Sequence, residues 1–234
     1  MKIAIMQPYF FPYIGYFQLI NAVDEFVVYD NIKYTKRGWI NRNRILVDGE
    51  DSYITLPLKK DSDYLDVRDR RLAETWVTKR NKMLNRIAGA YAKAPYFNAV
   101  YPLVKKSILY EDDNLFNFIL NSLLMVSGYL EIQTPFVVSS TISADYGLKS
   151  GERVLGICHA KKADIYINPI GGVELYSKDG FREEGLELHF LKTNDFRYKQ
   201  FNNEFIPFLS IIDVMMFNSK KEINEYLTSF YTLL

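Results

Sequence analysis

The chain has 234 residues, a net charge of +1, 48% apolar residues and an aromatic share of 15%. That length suits one α/β domain with or without an insertion, and the apolar share supplies a sizeable core. Matched charges exclude the molecule as a whole from acting as an electrostatic partner of duplex nucleic acid or an anionic membrane, so only local basic patches can bind anions. The single cysteine, Cys158, excludes an internal disulfide framework and a multi-thiolate metal site. No apolar run reaches the roughly 20 residues of a membrane span. The apolar stretch after Lys2 is too short for a secretory h-region. A reducing cytoplasm is therefore the expected location, with monomer and homodimer both open.

In chain order, residues 1–20 read as a buried strand, a tight aromatic loop carrying Pro8 and Pro12, and the start of a helix. Residues 24–30 add a second apolar strand, which makes a right-handed βαβ unit. A basic stretch then leads into a hairpin with Asp48-Gly49 at its turn and a second arm over residues 52–58. Residues 59–71 are so charged that a mobile surface loop is expected. From Thr75 the apolar residues recur at helical spacing, and further helices are expected over 97–109 and from an Asn114 cap to about residue 130. With no strand among them, residues 72–130 read as a helical insertion or subdomain within a single α/β domain over 1–234. Strand character returns at 135–140, a helix at 151–160, and buried strands at 163–169 and 186–191. A short helix is expected at 173–176 and a last one from Ser219. The fold class is thus α/β, a Rossmann-like, mostly parallel sheet with an inserted helical layer.

Three clusters can carry chemistry. The first is the N-terminal loop, with Gln7 closing the strand and Gly15 allowing close backbone approach as the helix begins. Nucleotidylyltransferase-type folds place a similar loop after their first strand, with a His-x-Gly-His pair on the nucleotide phosphates. Here Tyr13-Ile14-Gly15-Tyr16 stands in that frame without the imidazoles. An ordinary βα turn with packing aromatics explains the same residues. The second cluster is Asn41-Arg42-Asn43-Arg44, which alternates amides and guanidinium groups on opposite strand faces. Arginine forks suit phosphates and asparagine amides suit sugar hydroxyls, although a solvated hairpin edge would look alike. In the third, Lys149 and Arg153 sit at the head of a helix, where cations oppose the macrodipole unless an anion joins them. Asn168, Gly171 and Gly172 follow a later strand and would line the same sheet edge. Asp30, ending the second strand, and Asp213, inside an apolar run, are the acid–base candidates, and Asp213 could equally serve the last helices structurally. His159 and His189 make no metal pair, so no bound metal is expected; a nucleoside triphosphate, if used, would bring Mg²⁺.

Taken together, Gln7-Pro8-Tyr9-Phe10-Phe11-Pro12-Tyr13-Ile14-Gly15-Tyr16-Phe17, Asp30 followed by Trp39-Ile40-Asn41-Arg42-Asn43-Arg44, Ala163-Asp164-Ile165-Tyr166, and Tyr198-Lys199-Gln200 through Asp213 resemble the WbqC-like protein family nearly end to end. Where members often carry a histidine before the Tyr-x-Gln element, this chain has Asp195-Phe196-Arg197. The resemblance implies a setting in bacterial surface-polysaccharide and O-antigen (lipopolysaccharide) loci, and hence a nucleotide-linked sugar, frequently an amino sugar, or another phosphorylated small molecule. It implies a transferase that modifies that sugar, by acyl or aminoacyl transfer to its amine. The competing expectations are a nucleotidyl- or adenylate-forming enzyme with its histidines replaced, and a non-catalytic nucleotide-sugar binding protein.

Overall fold

The computed structural model describes residues 1–148 and 150–234. β1 (Lys2–Met6), α1 (Ile14–Asn21) and β2 (Glu25–Val28) form the expected parallel βαβ unit. The alternation of side chains along these strands divides the core in two. Ala4, Phe26 and Val28 face one way, onto Phe17 and Ile20 of α1. Ile3, Ile5 and Val27 face the other, toward Val154, Ile157 and Cys158. Helices cover both faces, which is why the strands read as unbroken apolar runs.

The hairpin is present as β3 (Arg42–Val47) and β4 (Glu50–Thr55), paired antiparallel. Asp48 and Gly49 both take positive φ, 52° and 84°, as a two-residue turn matched to strand twist requires. α2 (Trp76–Tyr91), α3 (Phe97–Ile108) and α4 (Leu115–Tyr129) follow, the last capped by Asn114, whose side chain accepts from the Asn117 N–H at 3.1 Å. Trp76, Ile87 and Tyr91 of α2 and Phe118 of α4 join the same apolar cluster as Phe10, Phe11 and Ile45, so this layer packs on the aromatic loop and the hairpin.

The α/β alternation then resumes through β5 (Phe136–Val138), α5 (Ser150–Ala160), β6 (Ile165–Pro169), α6 (Lys178–Glu183) and β7 (Glu187–Thr193). The chain closes with α7 (Ile211–Phe217), α8 (Lys220–Ser229) and β8 (Tyr231–Leu233). The six-stranded sheet has the order β5-β2-β1-β6-β7-β8, parallel except for the β7–β8 pair. Strand order reverses between β1 and β6, which places a crevice at their carboxyl ends.

Two local expectations change, and one strand is added. The short helix lies at Lys178–Glu183 rather than 173–176, because Ser177 caps it by accepting from the Gly180 N–H at 3.3 Å. β8 pairs along β7 at the sheet edge by its backbone, and its half-buried to exposed side chains carry no clear strand pattern. Residues 59–71 are anchored at several points rather than forming a free loop. Isolated bridges join Lys33 to Asp66, Leu58 to Leu72 and Arg71 to Asn114, and Val67 and Arg70 are buried. The charged composition masked a single apolar anchor.

The aromatic loop is held from behind by the hairpin. Asn43 Nδ2 donates to the carbonyls of Phe10 and Phe11 at 3.2 and 2.8 Å, and Phe11 sits at φ 41°. Asn43→Ala should cost about 2 kcal/mol by removing these buried bonds. Urea unfolding would register that loss, and limited proteolysis should cut within residues 7–13 sooner than in the parent chain.

Candidate functional site

At the carboxyl ends of β1, β2, β5 and β6 lies a cleft with two contiguous parts, ≈ 730 and ≈ 510 Å³, which share Gln7, Tyr29, Ile32, Leu175 and Tyr176. Among the described residues the larger part holds the charge: Lys33, Arg68 and Arg153 against the single carboxylate of Asp66. The smaller part is walled by Tyr9, Tyr13, Tyr16, Tyr29 and Tyr176, with Asn168, Gly171 and Gly172 along its floor.

Arg153 sits in the first turn of α5. Its guanidinium donates to the carbonyls of Leu148, Tyr146 and Asn31 at 3.1, 2.7 and 3.2 Å and pairs with no carboxylate among the described residues. Three carbonyls fix its direction without neutralising it, so its charge is left for the cleft. Lys149, expected beside it, lies outside the described residues.

Gln7 follows β1 directly, and its carbonyl accepts from the Tyr16 hydroxyl at 2.8 Å, which ties strand to helix. Burial pushes the Tyr16 phenol well above its ordinary pKa, so it stays a neutral donor. Gly15 is required by its neighbour: a Cβ there would lie 2.4 Å from ring atoms of Tyr13, so the glycine lets that ring fold across the start of α1. Gly172 has the same role for Asn168, whose Nδ2 would lie 1.9 Å from an added Cβ. Asn168 Oδ1 accepts from the Tyr166 hydroxyl at 2.9 Å, and its amide donates to the Pro169 carbonyl at 3.1 Å.

Asp30 is buried behind the cleft wall. Its carboxylate accepts from Ser139 Oγ at 2.8 Å, from the Ser140 N–H at 2.9 Å and from Ser140 Oγ at 2.6 Å, which joins the end of β2 to the end of β5. Asp213, in α7, lies away from the cleft and is buried among Tyr91, Tyr198 and Gln200. Burial raises its pKa against those three donors. Asp66 differs from both. It lines the cleft, its nearest cation among the described residues is Arg68 at 3.9 Å, and desolvation raises its carboxyl pKa.

The hairpin residues fall outside the cleft. Asn41 is buried, accepting from the Tyr34 hydroxyl and donating to the Leu56 carbonyl, both at 2.8 Å. Arg42 donates to the Gly38 and Arg37 carbonyls and lies over the Tyr53 ring. Asn43 and Arg44 line a separate groove, on the other side of Tyr9 and Tyr13.

The structure thus brings together Gln7, Tyr13, Gly15, Tyr16, Arg153, Asn168, Gly171 and Gly172. It adds Tyr29, Asn31, Lys33, Asp66, Arg68, Tyr146 and Tyr176, which sequence reasoning missed. For Tyr29, Asn31 and Lys33 a signal existed, since they flank Asp30 at the same strand end. Asp66 and Arg68 gave none, because they arrive by a long excursion through the charged connector.

Sheet order and the crevice at its reversal define a doubly wound, Rossmann-like α/β protein. The chain belongs to the WbqC-like protein family, whose match spans residues 7–225. It is 31% identical over 232 residues, covering 97% of each chain, to Uncharacterized protein Rv1507c of Mycobacterium tuberculosis (strain ATCC 25618 / H37Rv). No solved structure matches it. Among the described residues no helix is long and apolar enough to cross a membrane.

Proposed function

We propose that the switch-point cleft binds a nucleotide-linked sugar and that the protein is a cytoplasmic transferase modifying that sugar. The observation that carries this reading is Arg153, a carbonyl-oriented guanidinium that pairs with no carboxylate among the described residues, at the head of a helix that opens into the cleft. A cation there opposes the helix dipole, and a diphosphate would satisfy both it and the exposed backbone amides. Lys33 and Arg68 supply further positive charge, and the tyrosine-walled part offers flat surfaces and hydroxyls to the uncharged remainder of the ligand.

With an amino sugar bound, acyl or aminoacyl transfer would form an amide bond at its nitrogen and break the bond from the donor carbonyl to its leaving group. The nitrogen must lose a proton, and we assign that proton to Asp66 in place of Asp30 and Asp213. Both of those carboxylates already accept several hydrogen bonds from protein donors, whereas Asp66 lines the cleft and desolvation raises its pKa. The surface-polysaccharide setting comes from the resemblance of the sequence. The adenylate-forming reading draws less support, because the Tyr13 ring lies across the start of α1 where that reading seats a phosphate.

Thermal-shift screening against nucleoside diphosphates and their sugar conjugates tests the reading. A ligand at about a hundred times its Kd should add roughly 2.7 kcal/mol of stability. If no member of a panel of UDP, dTDP and GDP and their sugar conjugates raises the melting temperature, the cleft is not a nucleotide-sugar site.

A further inference from the structure

We propose that the sugar ring of the nucleotide-linked ligand lies in the groove between Trp39 and Phe208, across the Tyr9–Tyr13 wall from the phosphates. The inference rests on the reading above and adds where the carbohydrate sits. Tyr9 and Tyr13 line both the cleft and this ≈ 160 Å³ groove, so a ligand crossing their half-buried rims passes from one to the other. Pro12, Trp39, Arg44 and Phe208 complete the groove.

Phe208 is the first reason to read the groove as a binding surface. Its φ of 58° lies in the left-handed region, which is strained for a bulky side chain. Phe208 is 64% exposed, so no core packing compensates that strain. The segment is nevertheless fixed in place. Arg44 Nη2 donates to the Phe208 carbonyl at 3.4 Å, the Ser210 N–H donates to the Arg44 carbonyl at 2.8 Å, and the Tyr13 ring meets Phe208 edge-on at 6.2 Å. The opposite wall is built similarly. Trp39 is 38% exposed, yet its indole is stacked on Tyr53 at 6.3 Å and the Arg44 guanidinium lies 5.7 Å from it. Two held, exposed aromatic rings facing one narrow groove suit the apolar C–H face of a pyranose.

Charge separates the two compartments. Among the described residues Arg44 is the groove's one cation, neutralised by Asp51 at 3.0 Å, whereas Arg153 in the cleft has no such partner. The phosphates therefore favour the cleft and an uncharged ring favours the groove.

The chain has two tryptophans, and Trp76 is only 5% exposed, so acrylamide quenching of tryptophan fluorescence reports Trp39. UDP, dTDP and GDP are compared with their hexose and N-acetylhexosamine conjugates. The bare diphosphates should bind without changing Trp39, while the fitting conjugate should shift its emission to the blue and make it less quenchable. Trp39→Ala should weaken that conjugate about tenfold and leave the diphosphate unchanged, and Trp39→Phe should recover most of the loss. Conjugates that bind while Trp39 stays as quenchable as in the free protein would overturn the groove assignment and leave the cleft reading intact. Shielding of Trp39 by a bare diphosphate would overturn it too, since the base would then occupy the groove. If neither diphosphates nor conjugates bind, the cleft reading fails and the groove assignment fails with it.

Discussion

Replacing Asp213 with alanine is expected to remove about 3 kcal/mol or more of stability, because it leaves three buried donors without an acceptor. Tyr91 and Tyr198 each give their hydroxyl to this carboxylate, at 2.8 and 2.6 Å, and Gln200 gives its amide at 2.7 Å. The arrangement extends further, since the Leu46 N–H donates to the Tyr91 hydroxyl at 2.9 Å and Gln200 also holds Ile206 through both its amide atoms. One carboxylate thereby connects the hairpin, α2, residues 198–206 and α7. Urea unfolding of the alanine variant should show a lower midpoint with an unchanged slope. Asparagine is nearly the same shape but offers one acceptor oxygen where two are used, so Asp213→Asn should lose less than alanine and still measurably. The pH dependence follows from the raised pKa. Between the ordinary carboxylate value and its raised folded value, the native state keeps a proton that the unfolded chain has released, so this group's contribution to stability falls as pH rises. The deficit of the asparagine variant relative to the parent should therefore be largest near pH 4 and shrink toward neutrality. A deficit that grows with pH would mean that the three donors outweigh burial.

How much of this was legible in the sequence depended on whether a feature is local. The N-terminal βαβ unit was legible because a short apolar run, a proline-stiffened loop and a second run lie within thirty residues. Asp48-Gly49 and the Asn114 cap were legible for the same reason: each acts on atoms within a few positions of itself. Asp213 shows the limit. A carboxylate in an apolar run must find partners, but nothing local identifies Tyr91 as one of them, 122 positions away. The amides of Asn41 and Asn43 have a chemistry that suits sugars, yet alternation fixes only that they share a face, not that the face is buried against Leu56 and the aromatic loop. Asp66 and Arg68 were hidden by composition, since a charged connector looks solvated unless the bridge from Lys33 to Asp66 is known. Sheet order brought Gln7, Arg153 and Asn168 to one rim, and that followed from the strand-end rule applied to each in turn.

Arg153→Met is expected to weaken nucleoside diphosphate binding about thirtyfold, the equivalent of roughly 2 kcal/mol for one charge-assisted contact. Methionine keeps much of the aliphatic stem that packs at the head of α5 and deletes both the charge and the fork. The three carbonyls that Arg153 now serves, on Asn31, Tyr146 and Leu148, lie beside an open cleft where water can replace it. Stability should therefore fall much less than affinity, and the two losses can be measured separately by unfolding and by calorimetric titration. Lysine at this position distinguishes charge from geometry. It restores a cation but cannot hold three carbonyls and a phosphate together, so Arg153→Lys should regain only part of the affinity. Salt gives an independent check, because binding to the parent chain should weaken with ionic strength more steeply than binding to the methionine variant. Equal salt slopes and equal affinities would mean that the guanidinium only ties the end of β2 to the approach to α5, and the phosphates would then have to be sought beside Lys33 and Arg68.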